Sequence, residues 1–137
     1  MRDVEKIAPL FDDYRAFFAE AGDGQARSFL NERLAREEAV IFAAWLDGDA
    51  AGFITLYPLW SSWYCRRIWF LSDLYVAPAA RKLGIGASLV RRVAEYAKET
   101  EAASVMVELP RSEPHLAEFY AKLGFARDKV FELARYC

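Results

Sequence analysis

The sequence predicts a domain of the α+β or mixed α/β class organised around one sheet. Three observations carry that prediction. Asp47-Gly48-Asp49 separates two short apolar runs, a hairpin signal. Arg67 to Val76, a helical pattern and then Ser104 to Leu109 read as a strand–helix–strand crossover. Apolar residues at three-four spacing precede the first strand, which puts helices ahead of the hairpin.

The elements follow in chain order. Val4 to Glu20 carries Val4, Ile7, Leu10, Phe11, Tyr14, Phe17 and Phe18 on one stripe, with Asp3 as its N-cap and Gly22-Asp23-Gly24 as its stop. Gln25 to Glu38 reads as a second helix, with Phe29, Leu30 and Leu34 inward. Ala39 to Leu46 and Ala50 to Leu59 are the hairpin strands; Pro58 and Ser61-Ser62 close the second. The third strand, Arg67 to Val76, stops at Ala77-Pro78. A helix runs from Gly84 to about Glu101 on the stripe Ile85, Leu89, Val93 and Tyr96. Ser104 to Leu109 is a strand ended by Pro110, and Glu113 to Leu123 is a helix with Gly124 at its C′ position. Phe125 to Tyr136 is expected to hold one or two closing strands.

Bulk properties narrow the function. A chain of 137 residues makes one domain, 1–137, with a real core. The net charge of −2 argues against broad nucleic-acid binding, and no apolar run approaches the roughly 20 residues of a membrane span. Cys65 and Cys137 have neither metal-site nor redox spacing and read as free thiols in a reducing cytosol. Packing is favoured over reactivity for Cys65. The lone His115 builds no metal site by itself.

The stretch Leu71 to Leu89 carries the chemistry. It reads as a strand, a short turn, a loop with Arg81, Lys82, Gly84 and Gly86, and then a helix. Such a loop grips a phosphate with backbone N–H groups at a helix N-terminus. It lacks Gly-Lys-Ser/Thr, so it is not a Walker A loop. It also lacks the third glycine of a dinucleotide-binding turn, since Leu89 follows Ala87-Ser88.

Leu74-Tyr75-Val76-Ala77-Pro78 followed by Arg81-x-x-Gly84-x-Gly86 resembles the acetyl-CoA signature of the GNAT superfamily of N-acetyltransferases. Phe119-Tyr120-Ala121-Lys122-Leu123-Gly124-Phe125 is similar to a second block near that superfamily's C-terminus, in the same order and separation. Residues 53–58 and 69–74 look like the polyamine and histone acetyltransferase subgroup. The resemblance implies a single mixed, mostly antiparallel sheet flanked by helices. It implies a strand ahead of the first helix as well. This chain starts at about that helix, so the domain lacks that edge strand or is a truncated form. A bared edge invites pairing, and a homodimer is expected.

The resemblance also implies site roles. A β-bulge splays the third strand from Ser104 to Leu109, and pantetheine lies in the gap on Leu74, Tyr75 and Val76. The pyrophosphate of acetyl-CoA sits on N–H groups of Lys82, Leu83, Gly84, Ile85, Gly86 and Ala87, with Arg81 and Lys82 at the rim. Arg91 and Arg92 fit an exposed helical face better than a ribose phosphate. Tyr120 matches the general acid. For the base, relatives use a Glu where this chain has Ser72, and strand alternation turns the neighbouring Asp73 to the opposite face. Glu108 is then the best carboxylate left, acting through water. Glu113 stands where relatives carry an Asn, and cannot supply that amide donor. Trp60, Trp63, Tyr64 and Trp69 are read as walls for the amine or as a dimer patch. The expected activity is acetyl transfer to a primary amine, from a small molecule or a peptide. A cofactor-binding or dimerisation module without catalysis is the alternative.

Overall fold

Asp47 and Gly48 both adopt positive φ, 50° and 83°, as a tight two-residue hairpin of this twist requires. They join β1 (Val40–Leu46) to β2 (Asp49–Ser61), with Leu46 opposite Asp49. β2 pairs antiparallel with β3 (Arg66–Val76), and β3 pairs parallel with β4 (Ser104–Val107). The sheet order is β1-β2-β3-β4. This computed structural model describes residues 3–17 and 25–136. Among them, α1 (Val4–Phe17) and α2 (Gln25–Ala35) precede the sheet. α3 (Ile85–Glu99) makes the crossover and α4 (Pro114–Lys122) follows it. The predicted turn at residues 22–24, together with Phe18 and Cys137, lies outside the described residues.

Each face of the sheet carries its own core. On one face Val4, Ile7, Leu10 and Phe11 of α1, with Ala26 and Leu30 of α2, pack on Phe53. Of the stripe predicted for α1, Val4, Ile7, Leu10 and Phe11 are buried and Tyr14 is half-buried. On the other face Leu89, Val90 and Val93 of α3 and Tyr120 of α4 pack on Ile54, Leu56, Trp69 and Leu71. The Trp69 indole N–H donates to the Thr100 hydroxyl at 2.9 Å, which pins the end of α3 to the strand beneath it.

Helix ends explain where the predicted boundaries shorten. The second helix stops at Ala35 because Glu37 turns left-handed (φ 55°), and the Glu38 N–H closes back on the Arg33 carbonyl at 2.8 Å. α4 ends the same way, with Gly124 (φ 99°) at C′ and the Phe125 N–H on the Tyr120 carbonyl at 3.0 Å.

Two expectations need correction. No strand forms among residues 125–136. The Asp128 carboxylate accepts from the Val130 and Phe131 N–H groups at 2.8 and 3.3 Å, which turns the chain locally and withdraws those donors from a ladder. Cys65 is exposed, not packed, at the β2–β3 turn with φ 53°. Among the described residues no helix is long and apolar enough to cross a membrane.

Gly52 shows how tightly the sheet is built against α3. A Cβ there would stand 2.9 Å from the Tyr75 carbonyl oxygen and 3.3 Å from an Ile85 methyl. Backbone cannot yield as a flexible side chain can. Gly52→Ala is therefore expected to destabilise the domain by about 1–3 kcal/mol, read as a lowered thermal midpoint. An unchanged midpoint would show that β3 moves freely against β2.

Candidate active site

β3 contains one residue more than β2 allows. Thr55 stands opposite Asp73 and Leu56 opposite Leu71, leaving Ser72 as the extra residue of a β-bulge. Packing shows the effect of the bulge. Before it, Trp69 and Leu71 face α3; after it, Leu74 faces α3 while Tyr75 packs towards α1. Alternation is reset by one residue, so Ser72 and Asp73 emerge on the same face. The sequence expectation that put Asp73 on the opposite face is overturned by this extra residue.

Parallel pairing ends at the same place. β4 accompanies β3 only from Ile68 to Leu71, opposite Ser104 to Val107. From Ser72 to Val76 the edge of β3 towards β4 carries no strand. Leu74, Tyr75 and Val76 line this open edge. The Arg81 side chain crosses to it: its Nε–H donates to the Val76 carbonyl at 3.0 Å, and its guanidinium lies 5.6 Å from the Tyr75 ring centroid.

The loop after β3 is shaped by two left-handed residues, Lys82 (φ 66°) and Gly84 (φ 79°). Gly84 is the N-cap of α3 without a side-chain cap, so the N–H groups of the first turn, Ile85 to Ala87, point out along the helix axis. Lys82, Leu83 and Gly84 are exposed beside them. A Cβ on Gly86 would meet the Phe119 ring at 3.5 Å and a Val76 methyl at 3.9 Å, both ordinary contacts. The fold itself therefore tolerates a side chain at Gly86.

A cavity of about 340 Å³ opens on the α1–α2 face at the bulge. Phe11, Tyr14 and Arg15 of α1 line one side, and Gln25, Ala26 and Phe29 of α2 another. Tyr57, Ser72 and Asp73 form the sheet side. Burial pushes the Asp73 carboxyl above the usual carboxylate range, and the hydroxyls of Tyr14, Ser72 and Thr55 offset part of that push. Burial and the Asp73 carboxylate together hold the Tyr14 phenol far above its ordinary value. Burial, then Asp73, push the Tyr57 phenol up to about 12.

Tyr120 enters from the other face of the sheet. It is 5% exposed, with its ring edge-on to Phe119 and Phe125 at 5.1 and 5.3 Å. Burial pushes its phenol up to about 12.

Other sequence candidates stand elsewhere. Glu108 follows β4, is exposed, and pairs with Arg135 at 3.5 Å. It does not line the cavity. Glu113 is the N-cap of α4 and lies 3.4 Å from the His115 imidazole. Arg92 is engaged by Glu99 at 3.0 Å and stacks over Phe42 at 4.8 Å. Trp60 and Trp63 are 72% and 82% exposed near the β2–β3 turn, while Trp69 is core. The aromatic walls of the cavity are instead Phe11, Tyr14, Phe29 and Tyr57. Sequence reasoning set Asp73 aside on strand alternation and gave Tyr14 no role beyond the α1 stripe. The available signal was an acid inside an otherwise apolar strand, Leu71 to Val76, with a polar neighbour at Ser72.

Comparison with known proteins bears on the family and the fold. Residues 7–125 match the family model described as "Acetyltransferase (GNAT) family". An uncharacterized N-acetyltransferase, YhfO, of Bacillus subtilis (strain 168) is 37% identical over 136 residues, covering 98% of this chain and 90% of that protein. The aminoglycoside N(6')-acetyltransferase type 1 of Klebsiella aerogenes is 32% identical over 106 residues, covering 72% and 70%. A crystal structure of a probable acetyltransferase superposes with a TM-score of 0.95 at 32% identity, covering 100% of this chain and 93% of that one. The chain belongs to the GNAT acetyltransferase family.

Proposed function

We propose that this acetyltransferase moves an acetyl group from acetyl-CoA to the nitrogen of a primary amine by direct attack, with Asp73 as the base and Tyr120 as the acid. The observation that carries the proposal is the bulge at Ser72. It brings a half-buried carboxylate into a cavity at the point where β3 parts from β4. The Klebsiella relative, named as an N-acetyltransferase, supports nitrogen as the acceptor atom. The likeness of residues 53–58 and 69–74 to polyamine and histone acetyltransferases rests on β2 and β3, which most of the cavity-lining residues do not share.

The residues suit the donor. The left-handed Lys82 and Gly84 and the uncapped first turn of α3 offer N–H groups to a pyrophosphate. The open edge of β3 at Leu74, Tyr75 and Val76 offers backbone groups to an amide chain. Acetyl-CoA, when bound, supplies the acetyl group as a thioester. The cavity holds the amine beside Asp73, whose carboxylate takes the ammonium proton and leaves the nitrogen lone pair free. The Tyr120 hydroxyl would give its proton to the leaving sulfur as the C–N bond forms and the C–S bond breaks, and the second proton shed by the new amide nitrogen would return to the Tyr120 oxygen through water. A phenol pushed up to about 12 stays protonated at neutral pH and is available to donate. A carboxyl raised by burial is a stronger base than an exposed one. This assignment replaces Glu108, whose exposed position beside Arg135 gives it neither the cavity nor the burial.

Asp73→Asn is expected to lower kcat/KM by about 10²–10⁴-fold. Its effect on stability runs the other way. A carboxyl raised in the folded state costs stability as pH climbs from its unfolded value, about 4, through its folded one. The Asn variant should thus melt at or above the wild type at pH 8, with the advantage shrinking towards pH 4. An Asp73→Asn enzyme with full activity would remove the base. Tyr120→Phe keeps the ring in the core and should reduce kcat by about 10²-fold or more while leaving acetyl-CoA affinity intact. Unchanged kcat in steady-state assays would remove Tyr120 from the reaction. Gly86→Ala should keep the wild-type melting temperature, because its Cβ meets only ordinary contacts. It should nonetheless weaken acetyl-CoA binding by calorimetry, and equal affinity would place the pyrophosphate elsewhere.

A further inference from the structure

Thr55 puts a hydroxyl where the packing of the sheet has no use for one. On β2, Phe53 packs under α1, Ile54 and Leu56 pack under α3, and Tyr57 lines the cavity. Thr55 therefore shares the face of Phe53 and Tyr57. Register sets it directly opposite Asp73, at the pair that borders the bulge. Residues so paired stand about 5 Å apart at Cβ, within reach of a hydroxyl and a carboxylate. Among the described residues Thr55 is the one buried polar residue, 1% exposed. Its hydroxyl oxygen has no hydrogen-bond partner. A valine would fill the same space in a strand without bringing a polar atom inside. A buried hydroxyl left unpaired is costly, and the group it stands against is the carboxyl of the cavity.

Titratable and charged groups reach this carboxyl from the elements packed around it. α1 brings Tyr14 and Arg15, the latter 3.7 Å from Asp12, and β2 brings Tyr57. Arg33 of α2 bears on Tyr57 in turn. Both phenols are pushed up and stay protonated in neutral solution, and a guanidinium keeps its charge. Among the described residues that line the cavity, Asp73 is the group left to change charge there. The Thr55 hydroxyl favours its charged form. We propose that Thr55 is a positioning residue for Asp73, whose hydroxyl donates to one oxygen of the charged carboxylate and leaves the other oxygen to the acceptor's ammonium group. This rests on Asp73 as the base. Thr55 itself lies beneath the cavity wall, touches no acceptor and passes no proton to it.

The test follows the Asp73 carboxyl across pH by carbon NMR in the free protein, with Asp73→Asn assigning its signal. Thr55→Val keeps the shape and removes the hydroxyl, so its thermal midpoint should stay near that of the wild type. The carboxylate then loses a donor to its charged form. Its titration midpoint should rise by about one pH unit, the size expected of a charged hydrogen bond. In steady-state acetylation of phenethylamine the acid limb of kcat/KM should move up with it, an about tenfold loss at pH values below the limb. Thr55→Ser keeps the hydroxyl and should return both readouts to those of the wild type. Added to Asp73→Asn, Thr55→Val should lower kcat/KM no further. An unmoved Asp73 midpoint in a well-folded Thr55→Val variant overturns the positioning role while Asp73 stands as the base. So does a Thr55→Ser variant that titrates as Thr55→Val does, since packing alone would then carry the effect. If Asp73→Asn acetylates phenethylamine as fast as the wild type does, the base and its positioning residue fall together.

Discussion

One inserted residue organises the site. Ser72 lengthens β3 against β2, and the strand answers by resetting its alternation and leaving β4. A regular strand would have carried Asp73 into the core beneath α3, among Leu71, Leu89 and Val93, where no partner for a carboxylate stands. It would also have kept its inter-strand hydrogen bonds and closed the gap. Bulges are a known means of re-aiming side chains and ending a ladder. Here both effects occur within two residues, so the opened backbone edge and the half-buried acid share one origin.

The acid stays where it is through a compromise. Burial alone disfavours its charged form, and hydroxyls of Tyr14, Ser72 and Thr55 return part of the lost solvation. The phenols around it are shifted upward in turn, by burial first and by the Asp73 charge next. The result is a set of protonated phenols facing one carboxylate. The rest of the α1–α2 face is aromatic and aliphatic, and Phe11 links Tyr14, Phe29 and Phe53 by ring contacts of 6.1, 6.1 and 5.4 Å.

Much of this was legible beforehand. The Asp47-Gly48 turn, the stripe of α1, the cap at Gly124 and the loop from Arg81 to Ala87 all report local rules, and local rules act within a few residues. Asp73 was misread because alternation holds only while register holds, and no residue type announces a bulge. The cavity walls escaped notice for a different reason: Phe11, Phe29 and Tyr57 come from three elements brought together by tertiary packing alone. The C-terminal residues 125–136 show the limit of composition. Val130, Phe131 and Leu133 have strand-like side chains, yet the Asp128 turn and their exposure leave them outside the sheet.

Among the described residues the sheet separates two cores that share no residue, one under α1 and α2 and the other under α3 and α4. The loop at Lys82 to Gly84 leads into α3, and Tyr120 lies on α4, both on the side of the second core, whereas Phe11, Tyr14 and Ala26 of the cavity wall belong to the first. Substitutions on α1 or α2 can thus be absorbed without repacking the helix that follows that loop. A lineage built on this plan is free to explore new acceptors by drift in its first two helices while inheriting its acyl-transfer machinery intact.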